Sequence, residues 1–223
     1  MARESYQEQL DQLRSDVLYM GELVGDRLRT ALSAMESKDD TAAMQVIRGD
    51  EEVNELYLDL EGDCVDLLAL QQPVASDLRF IAASFKIITD LERIGDLAVN
   101  LADYSLDAER DVFPEVDIQS IGDLTLEMLA EAMDAFEAED TEACLGFAAR
   151  DDEVDQRCLE ASEAVVRDLM ERPVADANDT EQLMNDVSRL LLTIRDLERV
   201  GDHATNIAAR TLYMSEGDDQ LIY

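Results

Sequence analysis

The chain has 223 residues, 47% of them hydrophobic, which is enough to bury a substantial core in one large or two small domains. Its formal net charge is −35, and a surface this acidic repels nucleic acid and anionic lipid. A disordered chain is also excluded, because disorder requires low hydrophobicity together with high charge.

The strongly acidic composition fits two explanations. In a salty cytoplasm, molar salt shortens the Debye length to about 3 Å and screens the self-repulsion of the folded chain. Adaptation of a halophile to such a cytoplasm is the simpler hypothesis. Recruitment of the acidic surface to bind a basic partner is the alternative.

The cysteines and the N-terminal segment bear on the cellular compartment. Cys64, Cys144 and Cys158 form no C-x-x-C pair, so we expect three small buried side chains in a reducing environment. The first ten residues contain no apolar signal segment, and no stretch approaches the roughly 18 apolar residues of a membrane span. We therefore expect a cytoplasmic, soluble protein without direct membrane insertion.

The composition favours helices, because glycine, proline and aromatic residues are few while alanine, leucine and acidic residues abound. The first predicted helix runs from about residue 5 to 36, where apolar residues recur at spacings of three and four. These residues are Leu10, Leu13, Val17, Met20, Val24, Leu28 and Leu32. A second helix is predicted over residues 40–70. A third begins at Pro73, which suits a first helical turn, and continues to about residue 108.

After Phe113 and Pro114 the helical pattern begins again. Three further helices are predicted near residues 117–138, 140–171 and 179–215. The chain is therefore expected to be all-α, with six long helices arranged as three and then three again.

A duplication relates the two sets of three helices. The segment Ala31–Glu36 matches Ala132–Glu137, and Asp50–Val53 matches Asp151–Val154, both at an offset of 101 residues. Repeats of this length predict tandem duplicated three-helix bundles related by a pseudo-twofold axis. The predicted domains are residues 5–110 and 116–215, followed by a C-terminal tail over residues 216–223.

The most similar part of the two repeats is an acidic helix segment. Asp90–Asp103 returns 106 positions later as Asp196–Ala209, with nine of fourteen residues identical. Each copy carries a glutamate, an aspartate and an asparagine at intervals of four residues, which places them on one face of a helix. They are Glu92, Asp96 and Asn100, and then Glu198, Asp202 and Asn206. Two carboxylates one turn apart repel unless a cation or an arginine lies between them, so the pattern suggests a metal site.

An arginine offers the alternative explanation of this motif. Arg93 precedes Asp96 by three residues, and Arg199 holds the same place in the second copy, which is typical of an arginine-paired structural face. The residues alone leave both interpretations open. A metal bound here would be a hard or borderline cation such as Mg, Mn, Ca or ferric iron, because the donors are carboxylate and amide oxygens.

Two ligands on one helix turn do not complete a coordination shell, so other helices must contribute. The first candidates are Asn54 and its counterpart Asp155. Asp59, Glu61 and Glu160 are weaker candidates.

A glycine lies inside each motif. Gly95 and Gly201 each lower helix propensity by about 1 kcal/mol relative to alanine. Close approach of a neighbouring helix is the expected reason, and room for a ligand over the acidic turn is the alternative. Core-type residues precede both motifs, at Ile81, Phe85 and Ile88 and at Val187, Leu191 and Ile194.

The sequence does not support enzymatic chemistry. His203 is the only histidine, and its counterpart in the first repeat is Leu97, so it belongs to no duplicated site. A ferritin-like di-iron centre is excluded, because Val200 occupies the glutamate position of the required Glu-x-x-His pair. The chain contains no P-loop, nucleophile elbow or dinucleotide-binding fingerprint. We therefore predict neither catalytic residues nor an organic cofactor.

These segments together resemble the PhoU family, the accessory proteins of phosphate-specific transport. The resemblance is carried by Gln72–Arg79, by the acidic segments Asp90–Asp96 and Asp196–Asp202, and by Asn100 and Asn206. It covers nearly the whole chain. It implies tandem three-helix bundles that are often dimeric, with acidic motifs that hold metal ions in some members.

The resemblance also implies a function, partners and ligand positions. It implies a negative regulator of phosphate uptake that contacts the ATPase side of the phosphate ABC transporter and, in bacteria, a phosphate-sensing histidine kinase. The second repeat lacks the Pro-x-x-Ser-Asp-Leu-Arg segment, and Asp155 stands where the first repeat has Asn54, so we expect the two sites to differ in occupancy. By position, the metal-motif carboxylates are Glu92, Asp96, Glu198 and Asp202, extended by Asn100 and Asn206.

We therefore predict a regulatory adaptor of phosphate homeostasis that is homodimeric and binds no nucleic acid. The rival prediction is a cytosolic metal-buffering protein whose carboxylates hold iron or manganese. Stoichiometry separates the two, because a buffer takes up many ions and an adaptor holds a few at its two motifs.

Overall fold

A computed structural model describes residues 2–70, 74–106, 116–171 and 177–217 of the chain. Within these ranges all regular secondary structure is helical. This confirms the prediction of an all-α fold.

In the described residues, eight helical segments form two sets of three helical arms. The first set consists of α1 (Ala2–Ser37), α2 with α3 (Asp40–Arg48 and Asp50–Leu70), and α4 (Ala75–Leu106). The second set consists of α5 (Ile118–Ala138), α6 with α7 (Thr141–Leu145 and Phe147–Glu171), and α8 (Ala177–Glu216). The predicted start at Pro73 and the end of the predicted tail lie outside the described residues.

The middle arm of each set is interrupted, at Gly49 in the first and at Gly146 in the second. The helices predicted over 40–70 and 140–171 are thus present as arms, each of which contains one interruption. At Gly49 the backbone N–H turns back to the carbonyl oxygens of Gln45 and Val46, which closes α2 before α3 begins. The two interruptions are not equivalent, because at the offset of 101 residues Gly49 matches Arg150.

The turn that joins the first and second arms is the same in both repeats. Lys38 and Glu139 adopt left-handed backbone conformations, with φ of 53° and 52°. Asp39 and Asp140 follow, and the carboxylate of each accepts two backbone N–H groups of the next helix. Such caps satisfy donors that a helix start leaves unpaired, so the break expected after residue 36 is confirmed.

One continuous core joins the two repeats. α1, α3 and α4 pack together in the first repeat and α5, α7 and α8 in the second, while α4 packs on α8 and α1 on α5. The predicted apolar stripe of α1 is buried throughout, from Leu10 to Leu32, as are Ile81 and Ile194 of the central helices. The arrangement agrees with pseudo-twofold related three-helix bundles. None of the described helices combines the length and the apolar character that crossing a bilayer requires.

Candidate functional site

Each repeat brings acidic side chains of two helices together. The first acidic cluster comprises Asp50 and Asn54 of α3 with Glu92 and Asp96 of α4. The second acidic cluster comprises Asp151 and Asp155 of α7 with Glu198 and Asp202 of α8. Six of the eight predicted ligands therefore fall into two clusters at equivalent places.

The first acidic cluster is partly neutralised by an arginine. Arg93 donates a hydrogen bond to Asp96 at 3.2 Å, and its Nε lies 3.4 Å from Glu92. Asn54 donates to Asp50 at 2.8 Å. Burial, followed by repulsion from Asp96, still raises the pKa of Glu92. In the folded chain Arg93 therefore pairs with the two carboxylates of the motif, as the alternative explanation of the motif expected.

In the second acidic cluster, no arginine of the described chain forms an ion pair with Glu198 or Asp202. Arg199 is directed to Asp196 at 3.9 Å, and its charge, with that of His203, only partly offsets the rise in the pKa of Asp202. Burial, followed by repulsion from Asp155, raises the pKa of both Glu198 and Asp202. The second cluster therefore concentrates more uncompensated negative charge than the first.

The donor chemistry of both clusters suits a hard cation, because every donor is a carboxylate or amide oxygen. In the described part of the chain, however, no three histidine, cysteine, aspartate or glutamate side chains are placed closely enough to ligate one ion together. The metal ligands therefore stay a prediction. Asp50 and Asp151 were not among the predicted ligands. The repeated segments that begin with them could have pointed to them, because each lies one helical turn before a predicted ligand, Asn54 or Asp155.

The two remaining predicted ligands, Asn100 and Asn206, connect the repeats to each other. Asn100 donates to Oδ2 of Asp196 at 3.3 Å, and Asn206 donates to Oδ1 of Asp90 at 3.3 Å. These bonds cross between α4 and α8 in a reciprocal manner. Sequence reasoning missed this role of the first aspartate of each motif, although both copies carry it.

The surroundings of the two aspartates differ. His203 Nδ1 lies 2.8 Å from Oδ1 of Asp90. Asp196 instead accepts from the Tyr104 hydroxyl at 3.1 Å and from Arg195 at 2.7 Å. His203 thus takes part in one half of the contact between α4 and α8, in agreement with its absence from any duplicated site.

The glycines of the two motifs are explained by close packing. A Cβ atom at Gly95 would lie 3.2 Å from Cγ1 of Val53 on α3, and one at Gly201 would lie 3.3 Å from Cγ1 of Val154 on α7. The expectation of a closely approaching helix is confirmed in both repeats.

The three cysteines are free and buried, as predicted. Burial raises the pKa of Cys64 and Cys158 to about 12 and that of Cys144 to about 11. Because the thiolate is the reactive form, these cysteines are poor nucleophiles near neutral pH.

Fold and clusters together define a class: all-α proteins made of two tandem three-helix bundles, each with an acidic cluster between its second and third arms. The sequence model of the PhoU domain matches residues 17–105 and 118–211, which are the two repeats. The chain belongs to the PhoU family.

Individual relatives agree with this assignment along nearly the whole chain. A phosphate-specific transport system accessory protein PhoU homolog from Pseudomonas putida is 34% identical over 219 residues, covering 97% of this chain and 82% of the relative. The accessory protein PhoU of Escherichia coli strain K12 is 32% identical over 216 residues, covering 96% of this chain and 86% of its own length.

Solved structures show the same fold. The crystal structure of PhoU from Pseudomonas aeruginosa superposes with a TM-score of 0.87 at 33% identity, covering 96% of this chain and 100% of that one. The phosphate transport system regulatory protein PhoU from Streptococcus pneumoniae gives a TM-score of 0.86 at 29% identity, covering 96% and 98%.

Proposed function

We propose that the protein is a regulatory adaptor of phosphate homeostasis, which restrains phosphate uptake by acting on the ATPase side of a phosphate-specific ABC transporter. The observation that carries the proposal is the match of both repeats to the PhoU domain. Relatives named as phosphate-specific transport system accessory proteins support it along nearly the full chain. The adaptor works in the cytoplasm as a homodimer, and a phosphate-sensing histidine kinase is a second partner where the organism has one.

The environments of the three cysteines and of His203, the side chains best suited to catalysis, support a non-catalytic role. The thiols of Cys64, Cys144 and Cys158 are buried and have raised pKa values. His203 is held by Asp90 between α4 and α8. These side chains serve packing and helix contacts, which suits a protein that acts by binding.

Metal binding is the second part of the proposal. A divalent or ferric ion at either acidic cluster would offset the repulsion among its carboxylates. We expect the second acidic cluster to bind the ion more tightly, because Arg93 already neutralises part of the first. Such an ion would also allow phosphate to approach a chain whose net charge is −35.

Phosphate uptake in a deletion strain tests the regulatory role. The strain is rescued by wild type, by a variant with amides in place of four motif carboxylates, or by a control with amides at four exposed acids elsewhere. The test variant is Glu92→Gln/Asp96→Asn/Glu198→Gln/Asp202→Asn. The control is Asp11→Asn/Glu22→Gln/Asp134→Asn/Glu137→Gln.

We expect deletion to raise uptake in phosphate-rich medium, and wild type and control to restore restraint. Failure of the test variant alone would assign the restraint to the acidic clusters, whereas rescue by it would make those carboxylates structural. Uptake that is unchanged by deletion would reject regulation. Titration of Mn²⁺ then decides the rival function, because a metal buffer takes up many ions per chain and an adaptor takes up one or a few at each cluster.

A further inference from the structure

The outward face of α3 carries apolar side chains in an otherwise acidic surface. Leu58, Val65 and Leu68 are 61%, 51% and 40% exposed, whereas Leu60 on the opposite side is buried. Leu58, Gly62 and Val65 fall within about 60° of one another around the helix. We call Leu58, Gly62, Val65 and Leu68 the α3 stripe.

Gly62 leaves an opening in the middle of the α3 stripe. A Cβ atom built at this residue would have no neighbour within 4 Å among the residues that the structure describes. Glycine in a helix interior lowers stability by about 0.5–1 kcal/mol relative to alanine, and no packing within the described part of the chain requires it here. A missing side chain between Leu58 and Val65 lets the backbone of another helix approach closely.

The charged residues of α3 itself all have one sign. α3 contains eight acidic residues and no basic one. Arg27 of α1 forms an ion pair with Glu52 at 2.6 Å. Of the other seven, none forms an ion pair within the described chain. Asp50 belongs to the first acidic cluster, and we call the remaining six the acidic rim: Glu51, Glu55, Asp59, Glu61, Asp63 and Asp66. Burial, with repulsion from Asp16, Asp59 and Asp66, raises the pKa of Asp63, as expected where no cation balances the acids.

The second repeat provides a natural comparison. Leu159 and Val166 of α7 occupy the positions of Leu58 and Val65 at the offset of 101 residues, and they are 53% and 47% exposed. α7, however, also carries arginines, at positions 150, 157 and 167. Both middle arms therefore expose an apolar pair, and only α3 surrounds it with acid alone.

We propose that the α3 stripe and its acidic rim form a docking site for a basic amphipathic helix of a partner protein. The apolar face of that helix covers Leu58 and Val65, and its lysine or arginine side chains pair with the rim. A second copy of this chain is disfavoured as the occupant, because two acidic α3 faces repel. An anionic bilayer is disfavoured for the same reason. The site stands on this face alone and does not depend on the proposed regulation of phosphate uptake.

The test uses the full chain and a leucine–lysine peptide of about five turns that forms an amphipathic helix. A peptide of the same composition in scrambled order controls for charge alone. The test variant, Leu58→Gln/Val65→Gln, keeps the charge of α3, and Leu159→Gln/Val166→Gln is the matched control in α7. Affinity is measured by calorimetry at about 0.15 M salt, and circular dichroism checks that each variant is folded.

We expect the α3 variant to bind the amphipathic peptide at least about tenfold more weakly than wild type, and the α7 variant less than about threefold more weakly. The scrambled peptide is expected to bind wild type at least about tenfold more weakly than the amphipathic one. Absence of binding, equal binding of the two peptides, or equal effects of the two variants would overturn the proposal. So would a dimer that the α3 variant dissociates in sedimentation, because the stripe would then be covered by a second copy.

Discussion

Asp196 of α8 is a fully buried carboxylate that forms hydrogen bonds both within α8 and to α4. It accepts hydrogen bonds from Arg195 beside it on α8 and from Asn100 and Tyr104 across the junction with α4. A buried charge requires such partners, because desolvation otherwise favours the unfolded chain. The spacing of Asp96 and Asn100 places both on one side of a helix, but spacing on one helix does not reveal that the amide of Asn100 reaches a different helix.

Asp196→Asn is expected to lower the free energy of unfolding by about 2 kcal/mol, because Arg195 loses its ionic partner and the crossing bonds to Asn100 and Tyr104 weaken. Urea unfolding followed by circular dichroism measures the change. Asp103→Asn, at an exposed position of α4, is the control and should change little. Equal losses in the two variants would show that the buried network adds no stability.

The second acidic cluster should make stability depend on pH. The pKa values of Glu198 and Asp202 are raised, mainly by burial, so above the ordinary values of 4.5 and 3.8 the folded state holds more protons than the unfolded state. The free energy of unfolding contributed by these groups therefore falls as pH rises from those values through the raised ones.

Glu198→Gln/Asp202→Asn is expected to reduce this slope and to be at least as stable as wild type near pH 7. Urea unfolding in chelator, at several values between about pH 4 and about pH 7, measures both. A variant with the wild-type slope, or one less stable than wild type at pH 7, would contradict the assignment.

The helices differ in how far their local sequence determines them. The bounds of α1 predicted from the spacing of its apolar residues differ from the observed bounds by three residues at the N-terminus and one at the C-terminus. The agreement is close because the buried apolar stripe of α1 is continuous. The interruption at Gly49 was not predicted, and this residue contacts a different element: the guanidinium group of Arg27 on α1 lies where a Cβ atom at Gly49 would stand. Such a contact leaves no periodic signal in the sequence.

Two glycines inside helices should respond in opposite ways to alanine. Gly62→Ala meets open space and is expected to raise the free energy of unfolding by about 0.5–1 kcal/mol. Gly95→Ala raises helix propensity by the same amount, but the added methyl group would crowd Val53, which is buried and β-branched. The free energy of unfolding of Gly95→Ala should therefore be at least about 1 kcal/mol lower than that of Gly62→Ala. Thermal and urea unfolding give both values.

Val53→Ala provides the internal check on that prediction. It removes the methyl group nearest to Gly95, so the two substitutions should be less destabilising together than the sum of their separate effects. Strict additivity would show that close packing does not explain the glycine.

The whole molecule carries a net charge of −35, so its stability should rise with salt. Raising KCl from about 0.1 M to about 1 M shortens the Debye length from about 10 Å to about 3 Å and screens the repulsion among acids. We expect the urea midpoint to increase over this range. A variant with amides at the six residues of the acidic rim should show a smaller increase, and a wild-type midpoint independent of salt would contradict the prediction.

The reciprocal bonds between α4 and α8 have a consequence for the history of the chain. Asn100 to Asp196 and Asn206 to Asp90 are the contacts that two identical subunits would make across a twofold axis. The molecule is thus built like a dimer whose subunits have been fused, so the association of its halves no longer depends on concentration. In a fused chain the two halves can also acquire different residues at equivalent positions. His203 in the second repeat, where the first repeat has Leu97, is one such difference.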